Sequence, residues 1–198
     1  YGVGVMFGRY SLDSNGLCIA NLGSETLVSQ MTDETKVTFP IDDDNIIPVL
    51  EDDYFKDDMA SRFVQFVKVT FGEQNLRENI RFIESSLGTP LRKYFVKGFY
   101  EDHIKRYKKR PIYWMVSSPK KGFNALIYMH RYQSDIFARV RNSYLTEYIA
   151  KLEAHKETLH LTTTSDTASD KDKKDADKQI KNIETKLKEL IEFDREKM

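Results

Sequence analysis

The sequence predicts a mainly α fold with one β-hairpin: a small helical bundle plus a projecting antiparallel helical hairpin of coiled-coil character. Three observations predict it. Apolar residues recur at three- and four-residue steps between Met59 and Tyr107. A single stretch, Ile112 to Met129, alternates apolar residues at period two on both sides of Ser117-Ser118-Pro119-Lys120-Lys121-Gly122. The last segment spaces Ile180, Ile183, Leu187 and Leu190 at alternating three- and four-residue steps.

In chain order, residues 1–12 are apolar with Gly2, Gly4 and Gly8. No strand precedes them and no capped helix clearly follows, so a buried packing segment is expected rather than a phosphate-cradling loop. Ser14-Asn15-Gly16 is a turn signal before a short strand-like run, Leu17 to Ala20. Residues 21–50 read as irregular, polar and acidic, ending at Pro48. Asp42-Asp43-Asp44 reads as a solvated loop with one carboxylate capping a turn. Cation sites alternate their ligands along a loop, and three consecutive aspartates do not.

Asp57 and Asp58 suit the start of a helix carrying Met59, Phe63, Phe66, Val67 and Phe71, with Gly72 as its stop. A second helix presents Leu76, Ile80, Ile83 and Leu87 and stops at Gly88. Thr89-Pro90 reads as an N-cap followed by a first-turn proline. The third helix carries Leu91, Tyr94 and Phe95, is interrupted near Gly98, and continues to Tyr107. In the hairpin, Ile112, Trp114 and Val116 share one face of the first strand; Phe123, Ala125, Ile127 and Met129 share one face of the second. Ser134 is the expected N-cap of a long helix through Ile136, Val140, Leu145, Ile149, Leu152 and Leu159. Residues 162–173 read as a flexible loop. An arm of about 25 residues would span on the order of 35–40 Å.

These elements suggest four parts: 1–22, a 23–50 acidic linker, 51–132 with the hairpin at 111–130, and 133–198. The chain opens Tyr1-Gly2-Val3-Gly4 without an initiator methionine, as a piece of a longer polypeptide would. No signal peptide is recognised at its start and no apolar run approaches the roughly 18 residues of a membrane span. A cytoplasmic location is expected. Cys18 is the sole cysteine, which excludes an internal disulfide and a multi-cysteine zinc site.

Basic and acidic residues number 31 each, but they are segregated. From Asp13 to Asp58 twelve acids face only Lys36 and Lys56; from Arg92 to Arg131 eleven cations face only Glu101 and Asp102. This asymmetry points to a polyanion partner for the middle of the chain, and nucleic-acid phosphates are the candidate. The residues placed to contact them are Lys105, Arg106, Lys108, Lys109, Arg110, Lys120, Lys121 and Arg131. Two plainer alternatives stay open: that the acidic and basic parts neutralise each other, and that Trp114 and the tyrosines are core while Lys120-Lys121 is a solvated turn.

Catalytic constellations are absent from the sequence. His103, His130, His155 and His160 show no metal-ligand spacing. Glu184-Thr185-Lys186 has the spacing of a nuclease half-motif, but on an arm where both charged side chains would be solvated. No catalytic, cofactor-binding or metal residue is assigned.

Three stretches, MFGRYSLD (Met6 to Asp13), FPIDDDNIIPV (Phe39 to Val49) and RPIYWMVSSPKKGFNALIYMHRY (Arg110 to Tyr132), resemble the adenine-specific DNA methyltransferases of BREX-type phage-resistance systems. These are relatives of type IIG restriction–modification enzymes. The resemblance runs to about Glu153. It implies a parent enzyme that uses S-adenosylmethionine to methylate adenine N6 in double-stranded DNA after flipping the base. The Asn-Pro-Pro-Tyr-type tetrapeptide of that family is missing, since Pro40, Pro48, Pro90, Pro111 and Pro119 are never adjacent. The resemblance therefore implies a non-catalytic, DNA-positioning helical spacer downstream of the catalytic core, with no cofactor of its own. The alternative is an interaction module whose coiled-coil arms dock another defence-system subunit or a second copy of the chain.

Overall fold

A computed structural model describes residues 1–21 and 25–198. The expected boundary between residues 22 and 23 lies outside the described residues. The chain is mostly helical with one small sheet, and divides into two compact units. Unit one comprises Tyr1–Val116 and Asn124–Ser134; unit two comprises Ser117–Phe123 and Asp135–Met198.

Unit one begins with α1 (Gly2–Met6), every residue of which is buried, as the apolar opening predicts. A Cβ on Gly2 would come within 2.9 Å of the Phe66 ring, so α1 lies tightly on α3 (Met59–Phe71). Leu17 to Ala20 is not a strand; it is tied back by Cys18 N–H to Arg9 O at 3.0 Å and Ile19 N–H to Gly8 O at 3.0 Å. The linker expected to be irregular holds α2 (Glu25–Met31) and a strand, β1 (Ile46–Pro48). Two apolar residues ahead of a proline are too short a run to show alternation. Pro48 fits because β1 is an edge strand, where a missing N–H is tolerated.

Asp58 caps α3, its carboxylate accepting from Ser61 N–H at 2.8 Å, and Gly72 ends it at φ 85°. Next comes α4 (Leu76–Leu87), closed by left-handed Gly88. The following helix starts one residue later than expected: Pro90 is the N-cap of α5 (Leu91–Tyr94), and the Glu84 carboxylate, rather than Thr89, accepts the Leu91 N–H at 2.8 Å. The interruption expected near Gly98 is a change of helix type rather than a break. A π-helical turn, Phe95–Phe99, leads directly into α6 (Tyr100–Arg106).

The sheet has the order β1–β3–β2, with β2 at Tyr113–Ser117 and β3 at Asn124–Tyr128. β1 pairs antiparallel with β3 through Ile46–Ile127, Ile47–Leu126 and Pro48–Ala125. As the central strand, β3 is buried along its whole length. In β2 Tyr113 is buried, Trp114 is 49% exposed, and Met115 to Ser117 are all half-buried.

Unit two holds α7 (Ile136–Arg139), a π-helical turn Val140–Leu145, α8 (Thr146–Thr164) and α9 (Asp170–Lys197). Asp135, not Ser134, is the N-cap residue of α7. The extra residue of the π turn rotates the buried face of α8. Tyr148 is therefore fully buried where Ile149 was expected, and Leu152 follows it. These face Ile180, Ile183, Leu187 and Leu190 of α9, all buried as their spacing predicts. The connecting loop shrinks to residues 165–169, because Ser169 and Asp172 form a reciprocal capping box that starts α9.

Candidate nucleic-acid interface

The basic run does not continue α6. After Arg106 the chain closes on itself through Lys109 N–H to Ile104 O at 3.0 Å and Arg110 N–H to Tyr107 O at 2.9 Å. Lys108 and Lys109 both take left-handed backbone conformations, φ 50° and 64°. Two successive lysines there cost on the order of 1 kcal/mol each. The geometry crowds Lys105, Arg106, Lys108, Lys109 and Arg110 onto one exposed turn. Among the described residues none of the five has an ion-pair partner.

Part of the acidic segment is paired with other cations. Arg92 pairs with the fully buried Asp58 and, at 3.6 Å, with Asp53; Lys97 reaches Glu51 at 3.7 Å. Mutual neutralisation thus accounts for Arg92 and Lys97 but leaves the 105–110 turn uncompensated.

The remaining sequence candidates fall in different settings. Lys120 and Lys121 are exposed on a turn of unit two, where Glu189 on α9 accepts from Ser118 Oγ and Lys120 N–H, both at 2.6 Å. That turn is fastened in place, and Lys121 sits at φ 62°. Arg131, by contrast, is buried, donating to Asp43 O at 2.9 Å and Phe7 O at 3.5 Å. It braces the fold and leaves the set of phosphate candidates. Its place beside His130 and Tyr132 in a basic stretch gave no sign of this.

Sequence reasoning passed over His103, the one buried histidine among the described residues. Its Nε2 accepts from the Ile112 and Tyr113 N–H groups at 3.1 and 3.2 Å, which leaves the proton of the neutral ring on Nδ1. Burial, with the charge of Arg9, pushes its pKa down to about 4. The expected solvated aspartate loop is also corrected. Asp42 is buried, the three carboxylates lie within 4.8 Å of one another, and Asp42 and Asp44 both accept the Ile46 N–H at 2.9 Å to start β1. Burial and the neighbouring Asp44 hold Asp42 well above the usual carboxylate range. Glu184 is exposed on α9, as expected for a solvated arm.

No protein-family model matches the chain. It is 37% identical over 211 residues to the adenine-specific methyltransferase BrxX of Escherichia coli O9:H4 (strain HS), covering 98% of this chain and 17% of that protein. It is 36% identical over 205 residues to the adenine-specific methyltransferase PglX of Lacticaseibacillus casei (strain Zhang), covering 98% and 16%. Along almost its whole length the chain is thus similar to a segment of adenine-specific methyltransferases of BREX type.

It spans about a sixth of the length of these relatives. The three stretches that carry the family resemblance interlock in unit one. From the first, Phe7 lies 5.4 Å from the Tyr113 ring and Arg9 donates to Tyr128 Oη at 3.2 Å, both in the third. From the second, Asp42 N–H donates to Met6 O at 2.8 Å, and the Asn45 amide donates to Tyr128 O and Arg131 O at 3.0 and 3.2 Å. Several residues of these stretches are therefore joints of the fold, although the third stretch also carries the exposed Arg110, Lys120 and Lys121. Among the described residues no helix is long and apolar enough to cross a membrane.

Proposed function

We propose that this chain is a non-catalytic, DNA-positioning segment of an S-adenosylmethionine-dependent DNA adenine-N6 methyltransferase, acting downstream of the catalytic core in phage defence. The observation that carries the reading is the tight 105–110 turn, five exposed cations held by strained backbone with no acidic partner among the described residues. Phosphate oxygens are the anions such a turn fits: arginine and lysine neutralise them without reading sequence, while specificity arises from contacts elsewhere. Both curated relatives are named as adenine-specific methyltransferases, which supports double-stranded DNA as the polyanion and S-adenosylmethionine as the cofactor of the whole enzyme. The cofactor is assigned to parts of the enzyme outside this chain, and the enzyme to the cytoplasm.

The test is methyl transfer to adenine by the full polypeptide. Replacing Lys105, Lys108, Lys109 and Arg110 together with glutamine should raise KM for duplex DNA while leaving kcat unchanged, because phosphate contacts remote from the chemistry hold the ground state and the transition state equally. A fall in kcat at unchanged KM would place the turn in the chemistry and overturn a positioning role.

A second reading, docking of another subunit on the α8–α9 pair, draws on two exposed apolar residues of that pair, Leu161 (72% exposed) and Ile191 (52%). Changing both to serine should leave the solution mass of the enzyme's complexes unaltered if the pair is only a scaffold.

A further inference from the structure

Beside the basic turn, unit one contains a cleft of about 610 Å³ that the phosphate reading does not use. Its size is that of a small-molecule site. Tyr10, Tyr94, Phe99 and Tyr107 line it, and each ring is only partly buried. Two of them lie against glycine. A Cβ on Gly4 would sit 2.4 Å from Tyr10 Cδ2, and one on Gly98 would sit 3.0 Å from Tyr94 Cδ2. The glycines thus let these rings rest close against the helix backbone, packed on the core along one side and only partly buried.

Among the charged side chains of the cleft, cations outnumber acids. Arg9 and Arg106 line it, against one carboxylate, Asp102, which accepts the Tyr94 hydroxyl at 3.1 Å. Arg9 remains charged: burial opposes its charge, and hydrogen bonds to the Tyr128 and Tyr10 hydroxyls act together against that. Arg106 belongs both to the cleft and to the exposed basic turn. His103 also lines the cleft, its two backbone donors fixing the neutral ring with its remaining N–H on Nδ1.

We propose that this cleft takes a single unstacked nucleotide of the bound DNA, its base against the tyrosine rings and its phosphate on Arg9 and Arg106. Aromatic rings hold any base by its π-face, so the site would accept different bases. Guanidinium groups match phosphate oxygens in a planar, two-pronged geometry. The Nδ1–H of His103 supplies one donor for a base-edge acceptor. Arg106 makes the cleft continuous with the turn that would hold the flanking phosphates. The inference rests on the phosphate-binding reading of that turn and adds an unpaired nucleotide to it.

The test compares binding of the full polypeptide to a fully paired duplex and to the same duplex carrying one unpaired bulged nucleotide. The bulged duplex should bind tighter by about tenfold, the scale of one base stacked on an aromatic side chain. Tyr10→Leu and, separately, Phe99→Leu should erase that preference while leaving the fully paired duplex and its salt dependence unchanged. Because base flipping by the catalytic core would itself favour the bulged duplex, loss of the preference in a folded variant is what assigns it to this cleft, and a preference kept in both folded variants overturns the nucleotide site. Equal affinity for the two duplexes, with salt-sensitive binding intact, overturns the nucleotide site and spares the phosphate reading; it would mean that other parts of the polypeptide fill the cleft. Loss of salt-sensitive binding to both duplexes overturns the two together.

Discussion

A single carboxylate oxygen, Glu189 Oε1, receives both the Ser118 hydroxyl and the Lys120 N–H at 2.6 Å, and lies 3.4 Å from the Gly122 nitrogen. Ser118 Oγ in turn accepts the Phe123 N–H at 3.0 Å. A residue 69 positions downstream thereby sets the shape of the lysine-bearing turn. Gly122 suits this contact, since a Cβ would fall 2.7 Å from Glu189 Oε2 and the carboxylate would have to shift.

Removing that carboxylate should loosen the turn without unfolding α9. Glu189→Ala is expected to cost about 1–2 kcal/mol, the scale of charge-assisted hydrogen bonds left unmade. Amide hydrogen exchange at Lys120 should quicken more than at helix amides remote from the turn. Unchanged exchange there would show that the carboxylate is not what holds it.

Asp58 is the most exposed to loss of its partner, being fully buried in unit one. Arg92 pairs with it and donates to Leu50 O and Asp52 O, both at 3.2 Å. Arg92→Ala leaves a buried charge uncompensated and should cost about 3–5 kcal/mol. Arg92→Lys should recover only part of this, because an ammonium cannot reproduce the fork. Urea denaturation of the three proteins measures the series.

His103 makes unit one acid-sensitive. Free histidine titrates near 6.5, and the folded protein holds His103 down at about 4 through burial and then the charge of Arg9. Between those values the unfolded chain binds a proton that the folded chain does not. The stability is therefore complete above about pH 6.5 and is lost as pH falls toward 4, by on the order of 1–2 kcal/mol. His103→Gln, whose amide oxygen still accepts, should flatten the pH dependence of urea denaturation over that range.

Asp42 acts in the opposite sense. Its folded pKa is raised by burial and by Asp44, so its favourable contribution is present below the ordinary carboxylate range and is lost as pH rises. Asp42→Asn keeps an acceptor for Ile46 N–H and removes the charge. It should raise stability at neutral pH by about 1 kcal/mol, with the gain vanishing in acid. Thermal melts at two pH values suffice to see it.

What the sequence made legible follows from how local each signal is. Asp58, Gly72 and Gly88 bound their helices through side-chain or backbone effects within one turn, and the Ile180–Leu190 seam repeats often enough to show its period. The hairpin was visible for the same reason. The π turns were recoverable in part, since the five-residue step from Val140 to Leu145 is the length of a π turn. Strand β1 was not, because Ile46 and Ile47 gain their meaning only from pairing with Ile127 and Leu126, some 80 residues away. Among the phosphate candidates, charge alone could not separate Arg131, whose partners are the distant Phe7 and Asp43 carbonyls, from the exposed Lys105–Arg110 turn.

That turn carries the central claim, and its salt dependence tests it most directly. Affinity of the full polypeptide for mixed-sequence duplex should fall linearly on a log–log plot against salt concentration. Replacing Lys105, Lys108, Lys109 and Arg110 with glutamine should shrink the slope by about one for each phosphate that the turn no longer neutralises. An unchanged slope in the folded variant, or binding indifferent to salt in the parent, would contradict the account.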